Sequence, residues 1–509
     1  MKTIITLTFL LLFPVIIYSQ THSTLKNLGP GNINGIPKST QAAFWNNNYY
    51  FVGTATGSRE RIYRTDGTTA NTIAVTPDQQ YGIYNMRALP DYLIFDGTEG
   101  NDYGIFTSDG TTGGTTLVKE IDYSVEFMTN LDADKIIFIT QDFSNDSTYL
   151  WVSDGTSSGT QNLGNYHIKV DFLEYSRFGD HIIFTERSTN SEIFPPVMTD
   201  GTLAGTMLVK DYVNSIVTND ITSVETAVGI EDVIFLNGIN GTNSSQIFDG
   251  LTLTSTSIFG DPYKGFRIDD TYLLFTDFDI NIYDAVTFEV GSLGVEPDFS
   301  TNPILFDGKV YFHNTGGFVY ETDGTFAGTK KVSSNTTGSF NFDPYMAGHD
   351  GVLFYSTVIG NNLELWAIDL ETDTDSLFTV VRPAASSILD PYIFPVWDKI
   401  LYPKYTSAQG NEMWVYDPVM TSLKDEVLRE AGFQLYPNPV SDHLYITYQL
   451  AILSSADVLF LNNEGKLIKT LKLQNAQQQI NLAELSSGLY HVYVQSGSRK
   501  IYVDSFLKR

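Results

Sequence analysis

An all-β chain is predicted, a β-propeller of four-stranded blades followed by a small C-terminal β-sandwich, and three observations carry that expectation. The first is a recurring corner, TDGT or SDGT. It stands at Asp66-Gly67, Asp109-Gly110, Asp154-Gly155, Asp200-Gly201 and Asp323-Gly324, with degraded copies at Asp249, Asp284, Asp369 and Asp417. From Asp66 to Asp417 the corners recur about every 44 residues, a spacing that belongs to solenoids and propellers. The second is that each period divides into short alternating apolar runs bounded by turn residues, the pattern of strands. The third is the wealth of aromatic residues and of the 41 glycines, which suits strands joined by tight turns.

The chain opens on MKTIITLTFLLLFPVIIYS. One lysine, an apolar run and a small residue before Gln20 read as a secretory signal peptide over residues 1–19, cut between Ser19 and Gln20. The run is short and broken by Pro14, which argues against a membrane span, and no later stretch is apolar enough for one.

Residues 20–425 are the repeat domain. Its second unit divides most cleanly, into YNMRALP, DYLIFDGT, YGIFTSDG and TTLVKEI. The third and fourth units divide the same way and end in TQNLGNY and TMLVKDY. The corner follows from its residues. The Asp side chain accepts a hydrogen bond from the backbone two residues on, and Gly takes a positive φ. A second glycine in GTTGGT, GTSSGT, GTLAGT and GTFAGT is expected to supply another positive φ. Counting gives nine units, with eight as the fallback. The segment 23–35 resembles a detached fourth strand that completes the last unit and closes the ring, removing exposed sheet edges. An aromatic stands three residues before the Asp at Tyr63, Phe106, Trp151, Tyr320, Trp366 and Trp414, which reads as packing between neighbouring units.

The third strand and its corner resemble the ELWxTDGTxxGT repeat of secreted bacterial proteins, here YLWVSDGTSSGT and GIFTSDGTTGGT. LVKEI (117–121) and LVKDY (208–212) match that repeat's continuation. The resemblance implies a propeller-like array at the cell surface and carries no catalytic residues.

Residues 426–432 read as a linker and 433–509 as a second module of six or seven strands. Its marks are YPNP at Tyr436, Pro437, Asn438 and Pro439, the turn around Gly465, and the ending with Gly488 and Tyr490. These residues resemble the C-terminal sorting domain (type A) of the type IX secretion system of Bacteroidota. The resemblance implies the type IX machinery as a partner, export through the periplasm, and removal of the tail with attachment at the surface or release.

Composition narrows the function. Acidic residues outnumber basic ones 59 to 30, a net charge of -29, which disfavours a nucleic-acid partner. Cysteine is absent, so disulfides, thiol nucleophiles and thiolate zinc sites are excluded. GTSSG at Gly155–Gly159 matches the nucleophile-elbow spacing, but that motif needs a strand, a sharp turn and a helix, whereas Ser157 lies on an expected hairpin. Asp369, Glu371, Asp373 and Asp375 alternate in one loop. Oxygens at that spacing hold Ca²⁺ if the loop curls, yet the glycine of an EF-hand is missing and a solvated loop is the simpler reading. No other cofactor is implied. The expectation is a secreted or surface-displayed monomeric binding or adhesion protein, for a glycan or a surface protein. The alternative is a propeller-type glycoside hydrolase or lyase using carboxylates in the funnel.

Overall fold

The computed structural model describes residues 20–418 and 434–509, apart from 30–33, 38–41, 47, 56–59, 78–81, 100–101, 146, 169, 171–172, 187–193, 218–219, 243, 259, 299–300, 337–344, 384–391, 397–398, 448–456, 463–465, 473–476, 487 and 497–498. The expected signal peptide with Ser19, the linker 426–432 and Gly465 lie outside the described residues.

The described part is nearly all β. Between Ala42 and Arg382 it forms eight consecutive four-stranded antiparallel sheets, each built from four strands in chain order. We number them one to eight. A ninth sheet takes three strands from the end of this region, Phe394–Val396, Lys399–Thr406 and Gly410–Pro418. Its fourth strand is Gln20–Thr24, beside Gly410–Pro418.

That closing strand corrects the sequence reading, which put it at 23–35. The ladder covers the earlier residues, and the Leu25 amide adds a bond to the Met413 carbonyl at 2.9 Å. Farther along, the Gly35 amide donates to the Asn411 carbonyl of the same neighbouring strand at 2.8 Å.

Apolar clusters join each sheet to the next. Phe95 and Met86 of sheet two pack with Val52 and Ile62 of sheet one, and Phe138 of sheet three packs with Ile94 and Ile105 of sheet two. The series continues to sheet eight. Phe378 of sheet eight meets Tyr402 of sheet nine edge-on at 5.5 Å. Phe394 of sheet nine meets Tyr49 of sheet one at 6.4 Å.

The recurrent aromatic packs in the clusters that join neighbouring sheets, as at Phe106, Trp151, Tyr320 and Trp366, and it also stacks within its own sheet. Tyr63, Phe106, Trp151 and Tyr320 stand opposite Phe51, Phe95, Phe138 and Phe312 of the second strand. The rings stack at 5.7 to 5.8 Å. Stacked cross-strand pairs add to sheet stability beyond the area they bury.

Sheet four departs from the expected pattern. TMLVKDY gives only a two-residue strand, Met207–Leu208, and then a helix, Val209–Ile216. Val209 and Val213, four apart on one helical face, are both buried against Ile221 and Val224. Asn214 closes the helix by accepting from the Ile221 amide and donating to its carbonyl, at 3.0 and 2.8 Å.

Residues 434–509 form a three-stranded and a four-stranded antiparallel sheet, the seven strands of a sandwich. Leu444, Ile446, Val458, Phe460, Tyr490 and Phe506 lie in their shared core.

Candidate functional site

Each corner is a closed polar loop. In sheet four the Gly201 amide donates to Thr199 Oγ1 at 3.0 Å, and the amide and hydroxyl of Thr202 donate to Asp200 Oδ1 at 2.8 and 2.7 Å. Thr206 lies against the Thr199 hydroxyl at 2.7 Å and donates to the Thr202 carbonyl at 2.6 Å. The loops at Asp66, Asp154 and Asp323 repeat this set, and Asp109 keeps its Asp–Thr part. In the exposed loops the Thr111 and Thr325 hydroxyls hold the Asp109 and Asp323 carboxyls below the usual carboxylate range. The first glycine has φ of 87, 78, 78, 81 and 90° at Gly67, Gly110, Gly155, Gly201 and Gly324, as the motif predicts.

The second glycine is there for a different reason than expected. Gly114, Gly159, Gly205 and Gly328 are absent from the positive-φ residues. A Cβ at any of them would sit 1.7 to 2.1 Å from the Asp carboxylate of its own loop. The glycine is a gap for that carboxylate. In sheet one Asn71 takes the place and donates its side-chain amide to Asp66.

The four acids of the calcium candidate go separate ways. Asp369 accepts from the Glu371 and Thr372 amides, both at 3.0 Å, while Glu371 is exposed. Asp373 meets Lys330 at 3.4 Å, and Asp375 accepts from the Ser334 amide at 2.6 Å and from the Tyr355 hydroxyl. Among the described residues no group of three or more His, Asp or Glu side chains is arranged to hold a metal. Ser157 is exposed on a hairpin loop between two strands, as its neighbours predict.

Funnel carboxylates were the basis of the hydrolase alternative. Burial pushes Asp96 and Glu412 up to about 7, while backbone amides pull both down. Asp96 accepts from the Asn85 and Tyr84 amides, and Glu412 from the Gly29 and Leu28 amides at 2.7 and 3.2 Å. They stand in sheets two and nine, and each fastens a chain segment.

The first strands approach one another from sheet to sheet, and aromatic and charged side chains meet there. In sheets two, three, four and six these are Met86–Ala88, Val125–Asn130, Leu173–Phe178 and Pro262–Ile268. Phe127 meets Tyr175 edge-on at 5.4 Å. Lys264 reaches past sheet five, its ammonium 5.4 Å from the Tyr175 ring centre and 3.9 Å from Glu174. Arg87 donates to the Met86 and Met128 carbonyls, and Arg177 to those of Leu131 and Asn130. Both guanidiniums thus serve the unpaired edge of the first strand of sheet three. No repeat motif marks these residues, so nothing in the sequence points to them.

In the sandwich, Asn438 is the working residue of YPNP. Its side chain donates to the Ser505 carbonyl and accepts from the Leu507 amide, both at 2.9 Å, pinning the last strand. Tyr436 stacks on Tyr445 at 5.5 Å. The Tyr490 hydroxyl donates to the Ser486 carbonyl at 3.0 Å, and Gly488 pairs with Lys508.

Residues 434–507 match the secretion system C-terminal sorting domain family. The sorting tail marks the chain for type IX export, to the cell surface or beyond it. No helix among the described residues is long and apolar enough to cross a membrane. No curated protein matches the chain. Among solved structures it is similar to the computationally designed Ika8 protein, at 11% identity and a TM-score of 0.39, over 67% of this chain and 98% of that one. It is similar to the β-propeller domain of the Trilobed protease of Pyrococcus furiosus at 14% identity and 0.32, over 59% and 96%. PorZ, a surface component of the type-IX secretion system of Porphyromonas gingivalis, is similar at 12% identity and 0.25, over 93% and 82%. These likenesses concern the sheet array and carry no functional argument.

Proposed function

We propose that the chain is an exported binding protein, a nine-bladed β-propeller closed by the strand Gln20–Thr24, that takes a surface glycan or protein on its first-strand face. The signal peptide is cut before Gln20, the tail hands the chain to type IX secretion, and the propeller works outside the cell as a monomer. The ring reading rests on nine four-stranded sheets and on contacts that return from Phe394 to Tyr49.

The observation that carries the binding reading is the Phe127–Tyr175–Lys264–Glu174 cluster. An aromatic face offers a stacking surface, and the neighbouring ammonium and carboxylate offer directional hydrogen bonds, the mixture a sugar ring uses. The corner loops, by contrast, spend their Asp and Thr groups internally. Purified exported protein is tested against a glycan array and against outer-surface proteins. Binding weakened about tenfold or more by Tyr175→Ala, roughly the 1–3 kcal/mol of a stacked ring, supports the site. No binding to any sample by the unaltered protein would overturn the reading. Turnover of a bound glycan would replace it by the hydrolase or lyase alternative.

A further inference from the structure

Antiparallel sheets send the turn after strand one and the turn after strand three to the same end. The Tyr92 hydroxyl, from the first kind of turn in sheet two, donates to the Asp154 carbonyl in the second kind in sheet three. The corner loops therefore share one face of the repeat domain. Across adjacent sheets four to seven these loops carry exposed apolar side chains: Leu203 at 69%, Leu251 at 78%, Val286 at 66%, Phe288 at 69% and Phe326 at 76% exposure. At the matching place sheets one to three carry Thr69-Ala70, Thr112-Gly113 and Ser157-Ser158. Among the described corner loops of sheets one to seven, the exposed apolar residues fall in one arc, the run from sheet four to sheet seven. Phe326 of sheet seven leans toward sheet six, where a Cβ on Gly294 would lie 3.9 Å from its ring.

Two further features define what fits this arc. The loops beneath Leu203 and Phe326 are fixed by their internal Asp–Thr bonds, so the apolar tips are held out with little freedom left to lose on binding. Each loop also has an acid at its base, Asp200, Asp249, Asp284 or Asp323, and loop hydrogen bonds hold all four carboxyls below the usual range, although burial opposes this at Asp200 and Asp249. Lys309 and Lys330 of sheet seven are engaged by Glu321 at 2.7 and 3.5 Å. The arc is therefore apolar tips above a row of firmly ionised carboxylates. An anionic bilayer would meet like charge there, and so would the same face of a second copy.

We propose that the corner loops of sheets four to seven form a docking surface for a Lys/Arg-rich protein segment that also carries apolar side chains. The surface is separate from the first-strand face and does not depend on the glycan reading. It combines tip residues that exclude water with carboxylates that select the sign of the partner's charge.

The test uses the full chain and the variant L203S/L251S/V286S/F326S, whose net charge is unchanged. The probe is an amphipathic peptide of Lys and Leu, set beside its Glu/Leu counterpart and phosphatidylcholine and phosphatidylglycerol vesicles. The expected result is binding of the Lys/Leu peptide alone, weakened about tenfold or more in the variant at an unchanged melting temperature. If the variant melts early, Phe326→Ser alone is read in its place, with a loss of about threefold or more expected. Equal affinity of the unaltered chain and the variant would reduce the effect to net charge and overturn the proposal. Equal binding of the Glu/Leu peptide would overturn it too, as would binding of either vesicle. A dimer of the unaltered chain that the variant dissolves would assign the arc to a second copy and overturn it as well.

Discussion

Gly113 and Gly114 stand side by side in one corner loop and answer to different constraints. A Cβ on Gly113 meets nothing within 4 Å, whereas one on Gly114 falls 1.7 Å from Asp109 Oδ1. Gly113→Ala is expected to be neutral or to stabilise by about 0.4–1 kcal/mol, through the unfolded chain. Gly114→Ala must displace the carboxylate and should cost roughly 1–3 kcal/mol. Thermal unfolding of the two variants checks the pair, and equal losses would contradict the carboxylate gap. His313 gives a second residue-scale prediction. It is wholly buried in the second strand of sheet seven, and neither ring nitrogen has a partner. Burial pushes its pKa down to about 4, against a small upward pull from Asp298. The unfolded chain takes a proton as the pH falls through about 6.5, while the folded chain resists until about 4. Its contribution to stability is therefore complete above about 6.5 and is lost on the way down to about 4, by at most ~3 kcal/mol. Asp96 and Glu412 act in the opposite sense. Raised to about 7, they hold a proton longer when folded, so their contribution is present in acid and fades as the pH rises toward 7. The change made by His313→Leu isolates the histidine. Urea unfolding at pH 7 and pH 4.5 should lose less stability on acidification in the variant, by about 2–3 kcal/mol.

At the scale of elements, the first strands of sheets four and five approach backbone to backbone. Gly229 of the strand Thr226–Ile230 donates its amide to Ser176 Oγ at 2.9 Å, and a Cβ there would lie 2.5 Å from the Arg177 carbonyl oxygen. Backbone cannot swing aside as a side chain can. Gly229→Ala should cost about 2–4 kcal/mol, where an ordinary strand Gly→Ala is near neutral or favourable. An unchanged melting temperature would mean that the strands can part without penalty. The same scale explains what could be read beforehand. Corners and strands were legible because an Asp-Gly corner and a period-two apolar run act locally. LVKEI and LVKDY look alike, yet the first lies in the strand Thr115–Ile121 and the second enters the helix Val209–Ile216. The deciding residues, Val213 and Asn214, follow the motif and work only through distant Ile221. The second glycine was legible as a glycine and misread in cause, because spacing does not reveal where a carboxylate folds back. The Tyr175–Lys264 cluster was illegible because its members come from different sheets and belong to no repeat.

For the molecule as a whole, the question is what holds the chain's beginning to the end of its repeat region. Glu412 is fully buried in the third strand of sheet nine and accepts from the amides of Leu28 and Gly29. Gly35 packs against the same carboxylate, where a Cβ would come within 2.3 Å of Oε1. One side chain thus fixes the segment that runs from the closing strand toward sheet one, and Lys26 adds a bond to the Thr72 carbonyl of sheet one. Glu412→Ala leaves two buried N–H groups without acceptors, each costing about 1–3 kcal/mol. Glu412→Gln keeps one acceptor oxygen but turns an NH₂ toward the other amide, so it should lose about half as much. The proposed ring makes the damage local at first. With the latch gone, the edge strand can leave sheet nine before the other sheets unfold, because among the nine described sheets of the repeat region only sheet nine borrows a strand from far along the chain. Hydrogen exchange at the Leu25, Leu28 and Gly29 amides should therefore speed up in Glu412→Ala by more than tenfold, with Phe138 and Ile183 in the second strands of sheets three and four unchanged. Uniform loss of protection across all the sheets would mean that strand closure and the rest of the array unfold as one, and that Glu412 is no separate latch.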